Sequence, residues 1–414
     1  MVACIRWIYH ELTRPRGHQQ HRFYRVGRSS RSGIALLIAI TSIMLMTILV
    51  TETIHDASVR LQVAAHQRDE AKAELLATSG VRLYQLVLIS SKQMGKNPYI
   101  GMASQYIGIN ADSLWQMIPY VDTGLMRMLF VSGEDLQRVN QEMALTDAQV
   151  EKSREDTLGT KRNFLDFDGD FSANVIDENR RIDVGGLKGQ DQTALLTQPG
   201  AVKLLGLMAG TKNDEFFRDA DYVREELIGN LADWTDADDV RLYQGGDEDR
   251  LYERLDEPYL PKNAPFDTLQ EIRLVDGWHL DEVWKRYGQH LTIYGDGKIN
   301  VNTADRDVIE ALLWAYLEVP NEFLIDELVG LIMEYRRMSP LLGGGLFKTP
   351  QSFVQFIQQF GVGLRNEIIQ GITIESTIFR VKAKGTVSEA TVTIEAVFDF
   401  TKSPTGKVIY WHIN

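Results

Sequence analysis

Six acidic side chains stand within 14 positions in the middle of the chain, on both sides of a glycine pair. They are Asp236, Asp238, Asp239, Asp247, Glu248 and Asp249. Carboxylates this close repel one another unless water solvates them or a cation bridges them. Hard divalent cations take roughly six to eight oxygens from carboxylates, carbonyls and water. The pattern is therefore compatible with a divalent-cation site and with a solvated acidic loop.

A second acidic pattern, Asp166, Asp168 and Asp170, looks like the start of an EF-hand calcium loop. The sixth position of such a loop needs glycine for its sharp turn, and Phe171 is there. The twelfth position holds Asp177 instead of glutamate. These departures favour a polar turn between strands, with calcium as the weaker alternative.

Residues for catalysis are sparse in this sequence. The eight histidines are scattered without metal-ligand spacing, and the only cysteine is Cys4. The sequence contains no G-x-S-x-G, P-loop or H-E-x-x-H motif. We therefore expect a protein that is not an enzyme and that forms no disulfide beyond its first residues.

Composition indicates an acidic globular protein of two to three domains. The chain has 414 residues, 44% hydrophobic and 24% charged, with a net charge of −13. Its first 33 residues hold seven arginines and one acid, so the remainder carries a larger negative charge, −19. A surface of that sign argues against a nucleic-acid partner.

The apolar run Ile34 to Val50 contains no charge, glycine or proline. As a helix it spans roughly 26 Å, close to the thickness of a bilayer core. The arginines before it are expected to stay in the cytoplasm, which leaves the bulk of the chain outside. No small-residue cleavage site follows the run, so a single membrane anchor is favoured over a removed secretory signal.

The junction Arg31-Ser32-Gly33 before this run resembles a type IV pilin-like signal. The resemblance implies that a prepilin peptidase cuts between Gly33 and Ile34, and that the new amine is methylated. Such proteins usually carry glutamate as the fifth mature residue, where this chain has Ile38. The class that lacks this glutamate is the K-type minor pseudopilin of the type II secretion system.

A run of motifs in the second half of the chain strengthens this resemblance. The segments are Leu231–Asp239, Gly245–Asp249, Pro258–Pro265 and Leu269–Ile272. K-type pseudopilins bind calcium in this region, so the resemblance implies calcium as a cofactor, held by the six acids. It also implies a tip position on a periplasmic pseudopilus, an inner-membrane anchor, and I-type, J-type and major pseudopilins as partners.

The implied fold class is α+β: a long N-terminal transmembrane helix packed on an antiparallel sheet, with a large inserted all-α domain that is SAM-like or helix-hairpin-helix-like. We expect a leader (1–33), a helix (34–94), a first α/β part (95–190), the insertion (191–370, divided into 191–298 and 299–370) and a C-terminal β-meander (371–414). Two alternatives stay open. One is an anchor with a coiled-coil stalk, and the other is an interaction protein of another type IV filament system.

Helix-hairpin-helix modules also bind DNA, so DNA binding is an alternative function for the second part of the insertion. Residues 300–370 carry nine acids against five cations. The first hairpin site, Leu317-Glu318-Val319-Pro320, has no glycine pair to hold a phosphate. Because DNA binding needs a positive surface, an interaction with protein is favoured.

Several local predictions test this outline. Helical spacing predicts that Leu75, Ser79, Leu83, Leu86 and Val87 face the sheet. A strand is expected at Met126–Ser132, and a β-hairpin at Ile176–Val184. In the insertion, helices are expected at Ala201–Met208, Glu215–Asp236, Thr268–Leu274, Leu280–Tyr287, Asp305–Leu317 with Thr303 as N-cap, Asn321–Arg337 and Pro350–Phe360. Alternation predicts the C-terminal strands.

Overall fold

The structure, a computed structural model, describes residues 32–95, 115–118, 120–130, 167–189, 191–219, 222–255, 257–338 and 344–414. The chain divides into two units, Met1–Ala65 and His66–Asn414. The predicted leader up to residue 31 and the acid Asp166 lie outside the described residues.

The described helices, numbered in chain order, are α1 (Ser32–Gly95), α2 (Thr123–Phe130), α3 (Gln192–Leu196), α4 (Pro199–Leu207), α5 (Thr211–Asp219), α6 (Arg224–Asp233), α7 (Asp249–Tyr252), α8 (Asp281–Tyr287), α9 (Arg306–Tyr316), α10 (Glu322–Arg337), α11 (Pro350–Gln358) and α12 (Ile368–Gly371). Stretches of 3-10 helix stand at 115–117, Glu178–Arg180, Leu269–Leu274 and Gly288–His290. The strands are β1 (Tyr120–Asp122), β2 (Asp170–Asp177), β3 (Ile182–Asp183), β4 (Leu291–Thr292), β5 (Ile299–Asn300), β6 (Ile372–Thr373), β7 (Ile378–Val387), β8 (Ala390–Asp399) and β9 (Lys407–Ile413).

The long N-terminal helix agrees with its predicted bounds to within two residues. Among the described residues it is the one helix long and apolar enough to cross a membrane, with a mean hydropathy of 2.6 over its most apolar window. The side chains of this apolar half, such as Leu37, Met44 and Leu49, are exposed. Within the described residues, no residue of this apolar window is buried.

An antiparallel sheet of five strands packs against the second half of α1. The strand order is β1-β2-β7-β8-β9, and every neighbouring pair is antiparallel. The three C-terminal strands form the predicted meander, with Phe379, Val381 and Ala383 buried as the alternation indicates. The α+β fold class predicted from the sequence is thereby confirmed.

The face that α1 presents to the sheet differs from the predicted one, although Leu83 is half-buried against this core as predicted. The fully buried residues on it are small or aromatic as well as aliphatic: Ala73, Ala77, Val81, Tyr84 and Leu88. Leu75 is 68% exposed and Leu86 58% exposed, on the opposite side of the helix. The reason is the close approach of helix and sheet. A Cβ on Gly385 of β7 would lie only 2.0 Å from the carbonyl oxygen of Ala73, so the contact needs small residues.

Two predicted β elements are wrong. In place of the strand expected at Met126–Ser132, residues 126–130 belong to helix α2, which begins at Thr123, and the last two residues lie outside the described ones. The expected hairpin at Ile176–Val184 is absent, because β2 ends at Asp177 and a 3-10 turn follows. Strand β3 then pairs in parallel with β4, more than 100 residues further along the chain.

Buried polar groups explain why the chain turns away from a hairpin after Asp177. The carboxylate of Asp177 accepts hydrogen bonds from Thr303 Oγ1 and Ser376 Oγ, each at 2.5 Å. The fully buried Glu178 accepts one from Arg380 Nε at 2.6 Å. These contacts fix the turn between the sheet and the helical region, and a hairpin would leave the acids without partners.

The helices α3 to α12 lie between β2 and β7 in sequence and have a core of their own. The predicted helices match α4, α8, α9, α10 and α11 to within two residues at each end. The segment predicted as one helix from Glu215 to Asp236 is instead two, α5 and α6. The N-cap of α9 is Asp305, whose side chain accepts from Val308 N, and not Thr303.

Candidate metal centre

The two acidic groups are brought side by side by a short loop after helix α6. Gln244, Gly245 and Gly246 all have positive φ angles, 58°, 68° and 108°, which reverse the chain. Val240 and Asp247 then face each other across an antiparallel bridge. The loop is the reason why residues about ten positions apart meet.

Three of the six predicted ligands come together. Asp236, Asp238 and Glu248 each place one carboxylate oxygen within 4.8 Å of the others. Asp236 is half-buried, Asp238 is exposed and Glu248 is buried, so the cluster lies at the surface with one deep member. Asp238 Oδ1 also accepts a hydrogen bond from Val240 N at 2.9 Å.

The other three predicted ligands have other contacts. Asp239 Oδ1 accepts from Asn263 Nδ2 at 3.1 Å. Asp247 accepts from Asp249 N at 3.3 Å and lies 3.6 Å from the guanidinium of Arg250. Asp249 begins helix α7. The cluster of three is therefore the candidate site, and these three acids are not part of it.

Two further residues adjoin the cluster, and the sequence analysis did not include them. Asp233, the last residue of α6, is 3% exposed, and its Oδ1 accepts from Leu242 N at 3.1 Å. Asn263 contacts both Asp239 and the carbonyl oxygen of Asp238. Asp233 stands in the Leu-Ala-Asp-Trp run, and an acid between apolar neighbours in the sequence was the available signal.

Buried oxygens without a donor mark this place as unusual. Within the described part of the chain, no hydrogen-bond partner reaches Asp233 Oδ2, Asp236 Oδ1, Asn263 Oδ1 or either carboxylate oxygen of Glu248. Buried acceptors normally find a partner. Five unpaired oxygens on the cluster and the residues beside it fit a hard cation, and a set of oxygens alone suits calcium or magnesium better than zinc.

The electrostatics agree with this reading. Burial, with nearby acids including Asp236 and Asp238 adding to it, raises the pKa of Glu248 to about 8 and that of Asp233 to about 7. Burial raises the pKa of Asp236 to about 6. Without a cation, Glu248 holds a proton at neutral pH and Asp233 is partly protonated. A divalent cation would replace the protons and remove the repulsion.

The weaker acidic pattern is arranged differently. Asp168 lies 2.9 Å from the ammonium of Lys72 on α1, and this contact lowers the pKa of its carboxylate. Asp170 is the first residue of β2. The carboxylate of Asp168 thus already has a cation, supplied by the long helix.

Comparison with known proteins gives one match over the helical region. Residues 193–296 match the family model described as type II secretion system protein K. This segment belongs to that family. The segment contains the acidic loops and the carboxylate cluster. The match confirms the resemblance that the Leu231–Asp239 motif predicts.

One solved structure is also similar to this chain. It is the crystal structure of the GspK-GspI-GspJ complex from the type 2 secretion system of enterotoxigenic Escherichia coli. The similarity has a TM-score of 0.44 and 17% sequence identity, over 68% of this chain and 99% of that one. No curated protein matches the chain.

Proposed function

We propose that this protein is a minor pseudopilin that caps the tip of a type II secretion pseudopilus and helps to start its assembly. One observation carries the proposal. A K-family segment stands between two strands of a sheet that packs on a helix, and this helix begins with an apolar run long enough to cross a membrane. The apolar run would hold the protein in the inner membrane, with the bulk of the chain in the periplasm.

The apolar run itself supports a tip position. In a filament of pilin-like subunits, a carboxylate at the fifth mature position pairs with the terminal amine of the subunit ahead. A carboxylate at this depth in lipid is costly without that partner. A subunit at the tip has none ahead of it, and this chain has Ile38 at the position.

The exposed face of α1 supports contact with sister subunits. Leu75 and Leu86 lie on the side of the helix away from the sheet, and both are largely exposed. Burying each against a neighbouring helix would contribute roughly 1.5 to 3 kcal/mol. We infer that this leucine pair, Leu75 with Leu86, contacts the I-type and J-type minor pseudopilins at the tip and major pseudopilin below.

The test is co-purification of the full-length chain with the I-type and J-type pseudopilins of the same organism. The native chain should form a ternary complex at micromolar concentrations. The double variant Leu75→Glu with Leu86→Glu should lose at least about tenfold in affinity, since two charges would enter an apolar contact. The control Val319→Glu changes a side chain that is 78% exposed far along the chain and should bind as the native protein does.

Two results would contradict this proposal. The first is the absence of any complex with the native chain. The second is an equal loss of affinity in the double variant and in the control, which would show that the leucine pair of α1 does not form the contact.

We further propose that the carboxylate cluster holds calcium. Asp236, Asp238 and Glu248 would supply carboxylate oxygens, with Asp233 and Asn263 as further oxygen donors. Calcium would supply charge neutralisation and a fixed link between the end of α6 and the start of α7. Such a link would stiffen the loops of the K-family segment. Stiff loops would favour binding of other proteins at the tip.

A further inference from the structure

His290, Asp305 and Asp307 form a second cluster of metal-ligand type, apart from the acidic loops. One ring nitrogen of His290 and one carboxylate oxygen of each aspartate lie within 4.8 Å of one another. The Nδ1 atom of His290 is 3.5 Å from Asp305 Oδ2, and Nε2 is 3.4 Å from Asp307 Oδ2. This cluster contains a nitrogen, which the acidic loops do not offer.

Each member is held in place by the fold. His290 ends the 3-10 turn that follows α8, and its side chain is only 5% exposed. Asp305 is the N-cap of α9, so Oδ1 accepts from Val308 N at 3.0 Å and Oδ2 is directed to the histidine. Asp307, in the first turn of α9, is 58% exposed and gives the cluster an opening to solvent.

The buried histidine has an unsatisfied atom. Among the residues that the structure describes, Nδ1 has no hydrogen-bond partner, while Nε2 lies 3.1 Å from the side-chain amide of Gln289. A buried polar atom of this kind normally has a partner. The nearest carboxylate oxygen to Nδ1 in this cluster is Asp305 Oδ2, at 3.5 Å, and the two atoms form no hydrogen bond. Two ligand atoms that bind the same metal ion are separated in this way.

We propose that His290, Asp305 and Asp307 bind a zinc ion. Zinc takes nitrogen at about 2.0 to 2.1 Å and carboxylate oxygen at about 2.0 to 2.2 Å in a tetrahedron, which places ligand atoms about 3.4 Å apart. The 3.5 Å separation of Nδ1 from Asp305 Oδ2 matches this spacing. The 3.4 Å contact of Asp307 is made with Nε2, so Asp307 joins the site through the carboxylate oxygen that lies within 4.8 Å of the other two ligand atoms. Imidazole selects zinc over calcium or magnesium, which prefer oxygen alone. The fourth ligand is water, from the solvent side of Asp307.

The surroundings are compatible with an ion. With Nδ1 on zinc, Nε2–H donates to the Gln289 side chain after its amide turns over, the usual arrangement for a metal-bound histidine. Arg180 NH2 lies 3.5 Å from Asp305 Oδ2 and competes with the ion. Its side chain is 39% exposed, and an exposed pair of this kind contributes little, so the arginine yields its place to zinc.

The site joins two parts of the helical region. His290 belongs to the K-family segment, which ends at residue 296, and both aspartates belong to the helix that follows. Zinc bound there would close the 15 positions from residue 290 to 305 into a loop and fix α9 on the segment before it. The carboxylate cluster at the acidic loops would be unaffected.

The experiment uses the full-length protein in detergent, treated with chelator and then kept in millimolar calcium. Zinc is titrated by calorimetry, and cobalt(II) is titrated by visible absorption as a geometric probe. We expect one zinc per chain and the absorption bands of tetrahedral cobalt. The variants His290→Gln and Asp307→Asn should lose at least about tenfold in zinc affinity. The control Asp326→Asn, an exposed acid paired with Arg306, should bind as the native chain does.

Two further variants make the result decisive. If His290→Gln fails to fold, Asp307→Asn still decides, because its side chain is largely exposed. Arg180→Gln removes the competing cation and should tighten zinc binding several-fold, an effect that a merely structural cluster would not produce. Absence of zinc binding in millimolar calcium, or equal affinity in Asp307→Asn and native protein, would overturn the proposal.

Discussion

Glu248 is the residue on which the acidic loops depend. It is 1% exposed, and both carboxylate oxygens lack a hydrogen-bond partner in the described ranges. Its pKa is raised to about 8 by burial and by the surrounding aspartates. The folded chain without a cation therefore binds this proton more tightly than the unfolded chain, and raising the pH costs stability. The loss begins near the ordinary carboxylate pKa and is complete above the raised one.

The stability of the protein should depend on pH in the absence of calcium and much less in its presence. In chelator, the unfolding midpoint should fall between pH 5 and pH 8, as Glu248, Asp233 and Asp236 ionise close together. In millimolar calcium the fall should be small, and the gain at pH 8 should be about 2.7 kcal/mol at a hundredfold excess over the dissociation constant. Thermal unfolding monitored by circular dichroism measures both.

Matched variants assign the effect to the cluster. Asp238→Ala combined with Glu248→Ala should abolish most of the calcium-dependent gain. The control Asp281→Ala, which alters an exposed acid on α8, should retain it. Equal midpoints with calcium and with chelator at pH 8 would show that the acids are only a solvated loop.

At the scale of elements, the contact of α1 with β7 is set by a single glycine. A Cβ on Gly385 would lie 2.0 Å from Ala73 O and 2.8 Å from Ala77 N, both of them backbone atoms that cannot move alone. A side chain at position 385 would fit only if α1 moved away from the sheet. This close approach also explains why alanines, Ala73 and Ala77, stand opposite Gly385.

Gly385→Ala should therefore destabilise the folded chain by about 1 to 3 kcal/mol, the usual cost of overpacking. Chemical denaturation, read from the signal of Trp115 or Trp411 in this core, measures the change. Gly186→Ala is the control: a Cβ there meets nothing within 4 Å, so its effect should stay within about 0.5 kcal/mol. An unchanged stability in Gly385→Ala would mean that α1 does not pack as closely as described.

At the scale of the whole molecule, the apolar half of α1 determines how the protein reaches its place. Gly33 stands in the first turn of α1, and a Cβ there would meet nothing within 4 Å. If the pilin-like signal is read as we expect, a prepilin peptidase cuts between Gly33 and Ile34 and leaves the apolar run on the mature chain. The proposed tip position depends on that cut.

Gly33→Val should block processing, because a branched side chain replaces bare backbone at the cleaved bond. Mass spectrometry of the membrane-bound protein should find a methylated Ile34 as the first residue of the native chain and an uncut chain in the variant. Ile34→Leu keeps the glycine and the apolar run, and it should be cut normally. A native start elsewhere would contradict the pilin-like reading.

The sequence by itself determined the features that depend on neighbours along the chain. The bounds of α1, the strands β7 to β9 and helices such as α10 follow from local hydrophobic period and from N-cap residues such as Asn321. The meeting of Asp236 and Asp238 with Glu248 was also predictable, because the intervening glycines allow the reversal. The resemblance of residues 193–296 to type II secretion system protein K followed from short motifs such as Leu231–Asp239.

Only the tertiary structure decided the features that depend on distant partners. It placed alanines of α1 on the sheet, since Gly385 permits a close approach that favours small side chains over leucines. It turned the chain after Asp177, since the hydroxyl groups that satisfy this carboxylate lie more than 100 residues away. It brought His290 to Asp305, and buried oxygens such as Asp233 Oδ2 to the acidic cluster. Such contacts have no local period, so no pattern along the sequence could indicate them.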